Sequence, residues 1–523
     1  MKGRVSSFAL ALSALHLVRA QNVPITIPTQ APSSAIDVAQ DLVAFSIEQD
    51  RWTDWIGTNT PNTFWLNALE NLKTLSGLPT RIRIGADSED HTNFSFDVEY
   101  ATDIFPAITA TVPYPEATNI TAGQGFYNLA AHLPSGTPVI WGVNFGGNNL
   151  TAAYLQTVAI CKAFTSSAMK SAHVTLQAIE IGNEADLYNH NGLRNSSYSI
   201  SNYVPEWTTF ATNVTKTANA LLGKDVALQG IAFAESSHTT SGFSPEAAFK
   251  LGILNSDAGS QVKWISQHHY SGSFCSGSES LLQNLMDKTS IRGNVSTFSP
   301  DISAAHALGL PYVFGETNSY SCHGAPGVSD TAGASLWALD VRYVLSSAIA
   351  GMERVYFHEG IGYKYNFIQP VTLTRSIDDG TPLSTPLPPH IQPAYYAAVI
   401  AAEAIGTSGS TTVSELTINN SQLSGYAFYD NGVLKRALFI NLVAFNGNGA
   451  ARSAVHVALG GSGSMTIKRL SVPTAESTSG VTWGGQTYET DDALVSGKLQ
   501  TQTVSVSAGV DVHETEVVMV TFN

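Results

Sequence analysis

The sequence predicts a (β/α)8 barrel followed by an all-β sandwich. Three observations carry this prediction. Eight short apolar runs alternate with helical patterns between about residues 40 and 400. After Gly406 the pattern changes to short alternating strands separated by Gly, Ser and Asn. No Gly-rich phosphate loop follows the first run, which sets aside the doubly wound open sheet.

The elements follow in order. Residues 1–20 read as a secretory leader: Lys2 and Arg4 precede the apolar run Phe8 to Leu17, and Val18-Arg19-Ala20 offers a cleavage site. Residues 21–40 form an N-terminal segment whose stretch from Val23 to Ile27 reads as an added edge strand for the β domain. The barrel is expected over 41–405. Its strands are expected at Leu42 to Ile47, Thr80 to Gly85, Pro138 to Phe145, Leu176 to Glu184, Val226 to Ala234, Val262 to Tyr270, Pro311 to Glu316 and Arg354 to Gly360. A Pro-rich stretch from Thr381 to Pro393 leads into a last helix, Ala394 to Ile405. The sandwich is expected over 406–523, with GGSGS at Gly460 as a hairpin turn.

Composition narrows the function. With 26 Lys+Arg against 41 Asp+Glu the net charge is −15, which disfavours nucleic acid and sulfated polyanions as partners. At 43% hydrophobic and 13% charged the chain buries a large core and is not disordered. No run beyond the leader has the length of a membrane span. Seven Asn-x-Ser/Thr sequons, at Asn93, Asn119, Asn149, Asn195, Asn213, Asn294 and Asn419, agree with a secreted, extracellular glycoprotein. HExxH, Walker A and G-x-S-x-G motifs are absent, so neither a cofactor nor a metal is expected.

Strand parity then points to chemistry. In LQAIEIGNE, Ile179 and Ile181 share the helix-facing parity, leaving Glu180, Gly182 and Glu184 to point inward. In PYVFGE, the same reading sends Tyr312, Phe314 and Glu316 inward. Two carboxylates thus close the fourth and seventh strands at the catalytic face, as glycoside hydrolysis requires. Arg81 and Arg83 also face inward; buried arginines need partners, and Glu180 or Glu316 are the obvious ones. Arg81 is expected to form a structural ion pair, and Arg83 also to tune the carboxylate of Glu316. Asp87 reads as a loop or capping residue, and His268, His269 and His358 as pocket or core histidines. The loops after the sixth and seventh strands emerge side by side, so Cys275 and Cys322 are expected to form a disulfide, with Cys161 free on a helix.

Ile179 to Glu184 followed by Phe314-Gly315-Glu316 resembles the retaining glycosidases built on such barrels. With QHHY at Gln267 and PGVSDTAGASLWALD at Pro326, the chain resembles the family 79 glycoside hydrolases, which contain β-glucuronidases and heparanases. The resemblance implies Glu184 as acid/base, Glu316 as nucleophile, Asn183 on the sugar 2-hydroxyl, Tyr270 beside the nucleophile and Glu48 on sugar hydroxyls. It further implies a grip on the glucuronate carboxylate by Tyr320, His323 and the amide of Gly324 on one loop, and by Tyr363 with Lys364 and Tyr365 nearby on the next. The implied activity is exo-β-glucuronidase, on terminal glucuronate or its 4-O-methyl ether, by a monomer. A heparanase-like endo enzyme and a non-catalytic sugar-binding protein are the alternatives. The lack of a Lys/Arg-rich run argues against the former, the intact Glu pair against the latter.

Overall fold

The computed structural model describes residues 21–278, 281–342, 345–449 and 451–523, so the leader expected at 1–20 lies outside the described residues. Eight parallel strands close in sequence order: β1 (Val43–Glu48), β2 (Ile82–Gly85), β3 (Pro138–Val143), β4 (Thr175–Ile181), β5 (Leu228–Phe233), β6 (Val262–Ser273), β7 (Tyr312–Ser321) and β8 (Met352–Glu359). These strands are covered on both faces, which is why they read as nearly continuous apolar runs. Helices pack outside, among them α1 (Thr63–Ser76), α2 (Leu150–Thr165), α3 (Ile200–Leu222) and α4 (Tyr395–Ile405). Helix α1 shows how local sequence sets the limits: Asn62 caps it by accepting from the Trp65 amide, and Gly77 ends it at φ 81°.

Inside the barrel, Ala44, Ile140, Ala178, Val313 and Tyr356 form a small apolar layer. Two residues further along four of these strands, the period-two repeat brings Ser46, Gly142, Glu180 and His358 to the layer above. β7 departs from that repeat. Phe314 pairs with Gln267 and Glu316 with His268, so Gly315 is an extra, bulged residue. The bulge corrects the parity read from sequence: Tyr312 and Phe314 pack outward, Phe314 with its ring 5.0 Å from that of Phe298, while Val313 points inward. Glu316 still reaches the interior, because the bulge resets the alternation behind it.

The β domain stacks two sheets. The larger contains β9 (Thr411–Glu415), β10 (Leu423–Asp430), β11 (Val433–Asn441), β13 (Ser464–Ser471) and β15 (Glu516–Phe522). The smaller joins Gln21–Ile25, β12 (Ala454–Leu459) and β14 (Val510–His513), with the N-terminal strand parallel to β12. Val23, Ile25, Phe439, Val457, Val512 and Val518 lie in the core between them. GGSGS is therefore not a hairpin turn: it carries the chain from β12 in one sheet to β13 in the other. Glu403 on α4 ties the domains together, accepting from Lys468 at 2.8 Å and from the Trp483 indole at 2.6 Å.

Candidate active site

The site is built where the carboxyl ends of β1, β2, β4, β6, β7 and β8 converge. β4 stops at Ile181, and the chain then turns through left-handed positions at Gly182 (φ 77°) and Glu184 (φ 51°). Gly182 is required there: a Cβ would stand 2.6 Å from Phe145 and 2.8 Å from the Tyr188 hydroxyl. The Glu184 amide donates to the Ala232 carbonyl at 2.7 Å, fixing the turn against β5. Asp90 steadies the same turn, its carboxylate accepting from the Asn183 amide at 3.1 Å. Glu184 and Glu316 arrive on opposite sides of one cleft, with a carboxylate oxygen of each and a ring nitrogen of His268 all within 4.8 Å of one another.

The two carboxyl groups meet opposite surroundings. Arg83 Nη1 donates to Glu316 Oε2 at 2.7 Å, and Tyr270 donates its hydroxyl to Oε1 at 2.7 Å. Burial alone would raise the Glu316 pKa, but His358, His268, Arg83 and the Tyr270 hydrogen bond outweigh it and hold the carboxyl at about 2. Glu184 makes a 2.9 Å hydrogen bond with His268 Nδ1. Burial, reinforced by the nearby Glu316 charge, pushes Glu184 up to about 8. Burial takes His268 down to about 4, so this imidazole is neutral near pH 7 and does not neutralise Glu184. Two acidic groups at one cleft thus carry different protonation states. A divalent ion between them would meet the Arg83 charge, so they are not assigned as metal ligands.

Arg83 organises the floor. It is fully buried and donates to Glu180 (2.6 Å), Ser46 (2.8 Å) and Asn183 Oδ1 (2.8 Å) as well as to Glu316. Glu180 in turn accepts from Gln229 at 2.7 Å. Arg81 makes the structural ion pair expected of it, but with a partner outside this network rather than with Glu180 or Glu316. It sits lower in the barrel, where Asp41 accepts from it at 2.6 Å and from Arg354 at 2.8 Å. Glu48 is the last residue of β1, with one oxygen on His358 (3.1 Å) and the other accepting from Ser88 Oγ (2.5 Å). Asp87 opens the 3-10 turn Asp87–His91 and is exposed.

Loops from β6, β7 and β8 complete the rim. Cys275 and Cys322 form a disulfide between the first two, and Cys161 is a buried free thiol. His323 stacks on Tyr363 at 4.0 Å between ring centroids, and its Nε2 lies 2.5 Å from Glu116 Oε1. Tyr363 also hydrogen-bonds Glu116. The Gly324 amide, expected to face the substrate, instead donates to the Tyr320 carbonyl at 3.1 Å, closing its own turn. Tyr320 is packed against Gly272, and Lys364 is buried with its ammonium 5.5 Å from the centroid of the Phe274 ring. Glu116 has no sequence signal: it stands in the aperiodic stretch TATVPYPEAT. Of the sequon asparagines, Asn93, Asn119, Asn149, Asn195 and Asn419 are exposed, whereas Asn213 and Asn294 are half-buried.

Residues 425–519 match the glycosyl hydrolase family 79 C-terminal beta domain. A β-glucuronidase of Aspergillus niger is 27% identical over 541 residues, covering 96% of this chain and 93% of its own length. One of Neurospora crassa is 29% identical, covering 89% and 87%. Among solved structures, a 4-O-α-L-rhamnosyl-β-D-glucuronidase from Fusarium oxysporum superposes with a TM-score of 0.76 at 24% identity, over 95% of this chain and all (100%) of its own. A family 51 α-L-arabinofuranosidase from Bifidobacterium longum shares the fold at TM-score 0.59 and 15% identity, over 96% and 99% of the two chains. With a carboxylate pair at the mouth of its barrel and a β domain that matches the family 79 C-terminal model, the chain is a glycoside hydrolase that resembles the fungal β-glucuronidases.

Proposed function

We propose that this protein is a secreted, exo-acting β-glucuronidase that hydrolyses terminal β-linked glucuronate, or its 4-O-methyl ether, with retention. The observation that carries the mechanism is the approach of Glu184 and Glu316 oxygens to within 4.8 Å. Retaining pairs stand roughly 5–5.5 Å apart, whereas inverting pairs leave about 6.5–9.5 Å for a water. The opposed pKa values supply the roles. Glu184 holds a proton for the leaving oxygen, and ionised Glu316 attacks the anomeric carbon. The C1–O bond to the aglycone breaks as the Glu316–C1 ester forms. Glu184, now ionised, takes a proton from water, whose oxygen displaces Glu316. Asn183, its Oδ1 held by Arg83, keeps its amide N–H groups for the sugar.

Glucuronate as the glycone rests on the named relatives, 27% and 29% identical over most of the chain. The insertion after β2 supports exo action. Its sheet (Thr92–Phe94, Ala101–Ile104, Asn119–Ala122) extends from the rim, and Glu116 and Tyr114 reach the loops after β7 and β8. Those contacts bridge the insertion to two rim loops, an arrangement that favours a cleft closed at one end. Among the described residues, Arg194, Arg375 and Lys364 do not form a sulfate-binding row. Arg194 is paired with Glu206 at 3.1 Å, Arg375 donates to the Gly380 carbonyl at 3.0 Å, and Lys364 is buried. Secretion is supported by the leader-like N-terminus, the sequons and the disulfide.

The test compares rates on nitrophenyl β-glucuronide, β-glucoside and β-galactoside. A preference for the glucuronide of about a hundredfold or more, in line with the 10²-fold and larger ratios expected when a site's charged donors are left unpaired, is expected. Equal rates would overturn the glycone assignment.

A further inference from the structure

The double-displacement steps use Glu184 and Glu316 and give no task to His358, a buried ionisable group beside the nucleophile. His358 is the inward residue of β8 two positions after Tyr356, and it is 3% exposed. Its Nε2 lies 3.1 Å from Glu48 Oε1, and its Nδ1 lies 3.7 Å from Glu316 Oε2. Glu48 cannot swing away, because its other oxygen accepts from the Ser88 hydroxyl at 2.5 Å and the Ser88 amide at 3.2 Å. The ring therefore presents each nitrogen to a different carboxylate. A neutral imidazole would aim a lone pair at one of those oxygens, whereas a protonated one turns an N–H to both.

The other ionisable groups around the ring do not change that balance. Arg83, from β2, opposes a second cation, but it is bound to Glu180 at 2.6 Å as well as to Glu316 at 2.7 Å. Glu184, from the turn after β4, is held near neutral by burial and by Glu316. Tyr363 and Tyr365, from the loop after β8, place their rings 5.8 and 6.0 Å from the imidazole, and burial keeps both phenols protonated. Glu359, the next residue of β8, points away and accepts from the Phe367 amide at 2.9 Å; burial raises its pKa.

We propose that His358 is an imidazolium clamped between Glu48 and Glu316, a positioning residue whose charge holds the nucleophile ionised and whose grip on its proton loosens when Glu316 becomes the glycosyl ester. This rests on Glu316 being the nucleophile. The burial penalty on His358 is outweighed by Glu316 and Glu48, which together place it at about 9. Esterification removes the Glu316 charge and leaves Glu48 as the remaining anionic partner of the ring. The free enzyme therefore binds this proton more tightly than the intermediate does. Glu48, expected to contact sugar hydroxyls, gains a second task as the anchor of the ring.

The experiment has two arms. In the first, kcat/KM is followed against pH for the wild type and for His358→Gln, whose amide still reaches Glu48 but carries no charge. Removing a cation beside Glu316 raises the pKa of that carboxyl by about 1–3 units, so the acid limb moves up. Glu184 loses the same favourable cation, so the basic limb moves up as well, by less. A merely structural histidine would lower the rate and leave both limbs in place, which overturns the proposal. The second arm needs no variant: NMR titration of ring-labelled histidines in the intact wild-type protein, free and trapped with a 2-deoxy-2-fluoro-glucuronide. His358 is expected to titrate above pH 8 when free and at least about one unit lower when trapped. Titration near the ordinary histidine value of about 6.5 in the free enzyme overturns the clamp. Peptide mapping of the trapped label keeps the two failures apart. A label on any residue other than Glu316 sinks the nucleophile assignment itself, whatever His358 does.

Discussion

Arg81 and Arg83 stand two residues apart at the start of one barrel strand and do different work. At the lower position Arg81 and Arg354 converge on Asp41, Arg354 also pairs with Glu353, and no member of the cluster faces the cleft. Asp41 is held below the ordinary carboxylate range: burial would raise it, but Arg354 and Arg81 prevail. At the upper position Arg83 faces Glu180, Glu316 and Glu89, and burial raises the Glu89 pKa well above the ordinary carboxylate range. Glu89 fits because Gly142 leaves room: a Cβ there would meet its carboxylate oxygen at 1.8 Å. The upper cluster thus gathers several carboxyl groups on one arginine, and one of them, Glu316, opens onto the cleft. A buried ion network becomes a reactive site when one member is left facing substrate and the rest hold its charge and direction.

The sharpest way to break that comparison is to remove the open member. Glu316→Gly should abolish glucuronidase turnover, and azide should restore cleavage with an α-glycosyl azide as product. Glu184→Ala should lose about 10²–10⁴-fold on poor leaving groups and yield a β-glycosyl azide. Swapped anomers, read by proton NMR of the products, would exchange the two roles.

Next in size is the arginine that holds the network. Arg83→Met leaves Glu180 and Glu316 buried without their shared cation, which costs about 3–5 kcal/mol of stability. The same change should push the acid limb of kcat/KM upward, because Glu316 loses an opposite charge at 2.7 Å. Urea denaturation together with pH-rate profiles reads both effects. Unchanged stability would mean that Arg83 does not offset a buried negative charge in the folded protein.

The pH profile of the unmodified enzyme probes the same difference with no mutation. Glu184 must carry a proton to act as an acid, and its pKa is raised to about 8, so activity is present below that value and lost as pH rises through it. Glu316 must be ionised, and its pKa is depressed to about 2, so it sets no limit until strongly acid solution. A basic limb near pH 4–5, the range of an unperturbed carboxyl, would contradict the buried, Glu316-facing setting of Glu184.

Most of this architecture was legible in the sequence, and the exceptions have physical causes. The eight strands stood out because a parallel strand covered on both faces is apolar along its whole length. Glu184 and Glu316 stood out as carboxylates closing two of them. The path to each was not legible. Alternation was carried straight through PYVFGE, but Gly315 is bulged and reverses it, and a glycine inside a strand is the one local sign of such a reversal. The Asp41 partner of Arg81 precedes β1, forty residues away in sequence, and no local pattern marks a pairing between strands. The Gly324 amide was expected on the substrate side, but a turn spends its own amides first. Glu116 and the Glu48–His358 contact arise where separate loops or strands converge, which periodicity along one segment does not report.

The smallest predicted effect sharpens the comparison from the other side. In Arg81→Met, Asp41 keeps both hydrogen bonds from Arg354, at 2.8 and 3.1 Å, so no buried charge is stranded. The loss is one charge-assisted hydrogen bond from a side chain that is 15% exposed, worth about 1.5–3 kcal/mol. Removing Arg81 should therefore lower the urea midpoint and leave kcat/KM and both pH limbs where they were. The two arginines would then differ in kind: one variant loses stability alone, the other loses stability and shifts the nucleophile. If Arg81→Met moved the acid limb as Arg83→Met does, the lower cluster would be electrostatically coupled to Glu316 through the apolar layer formed by Ala44, Ala178 and Val313. The division between a closed scaffold pair and an open reactive one would then fail.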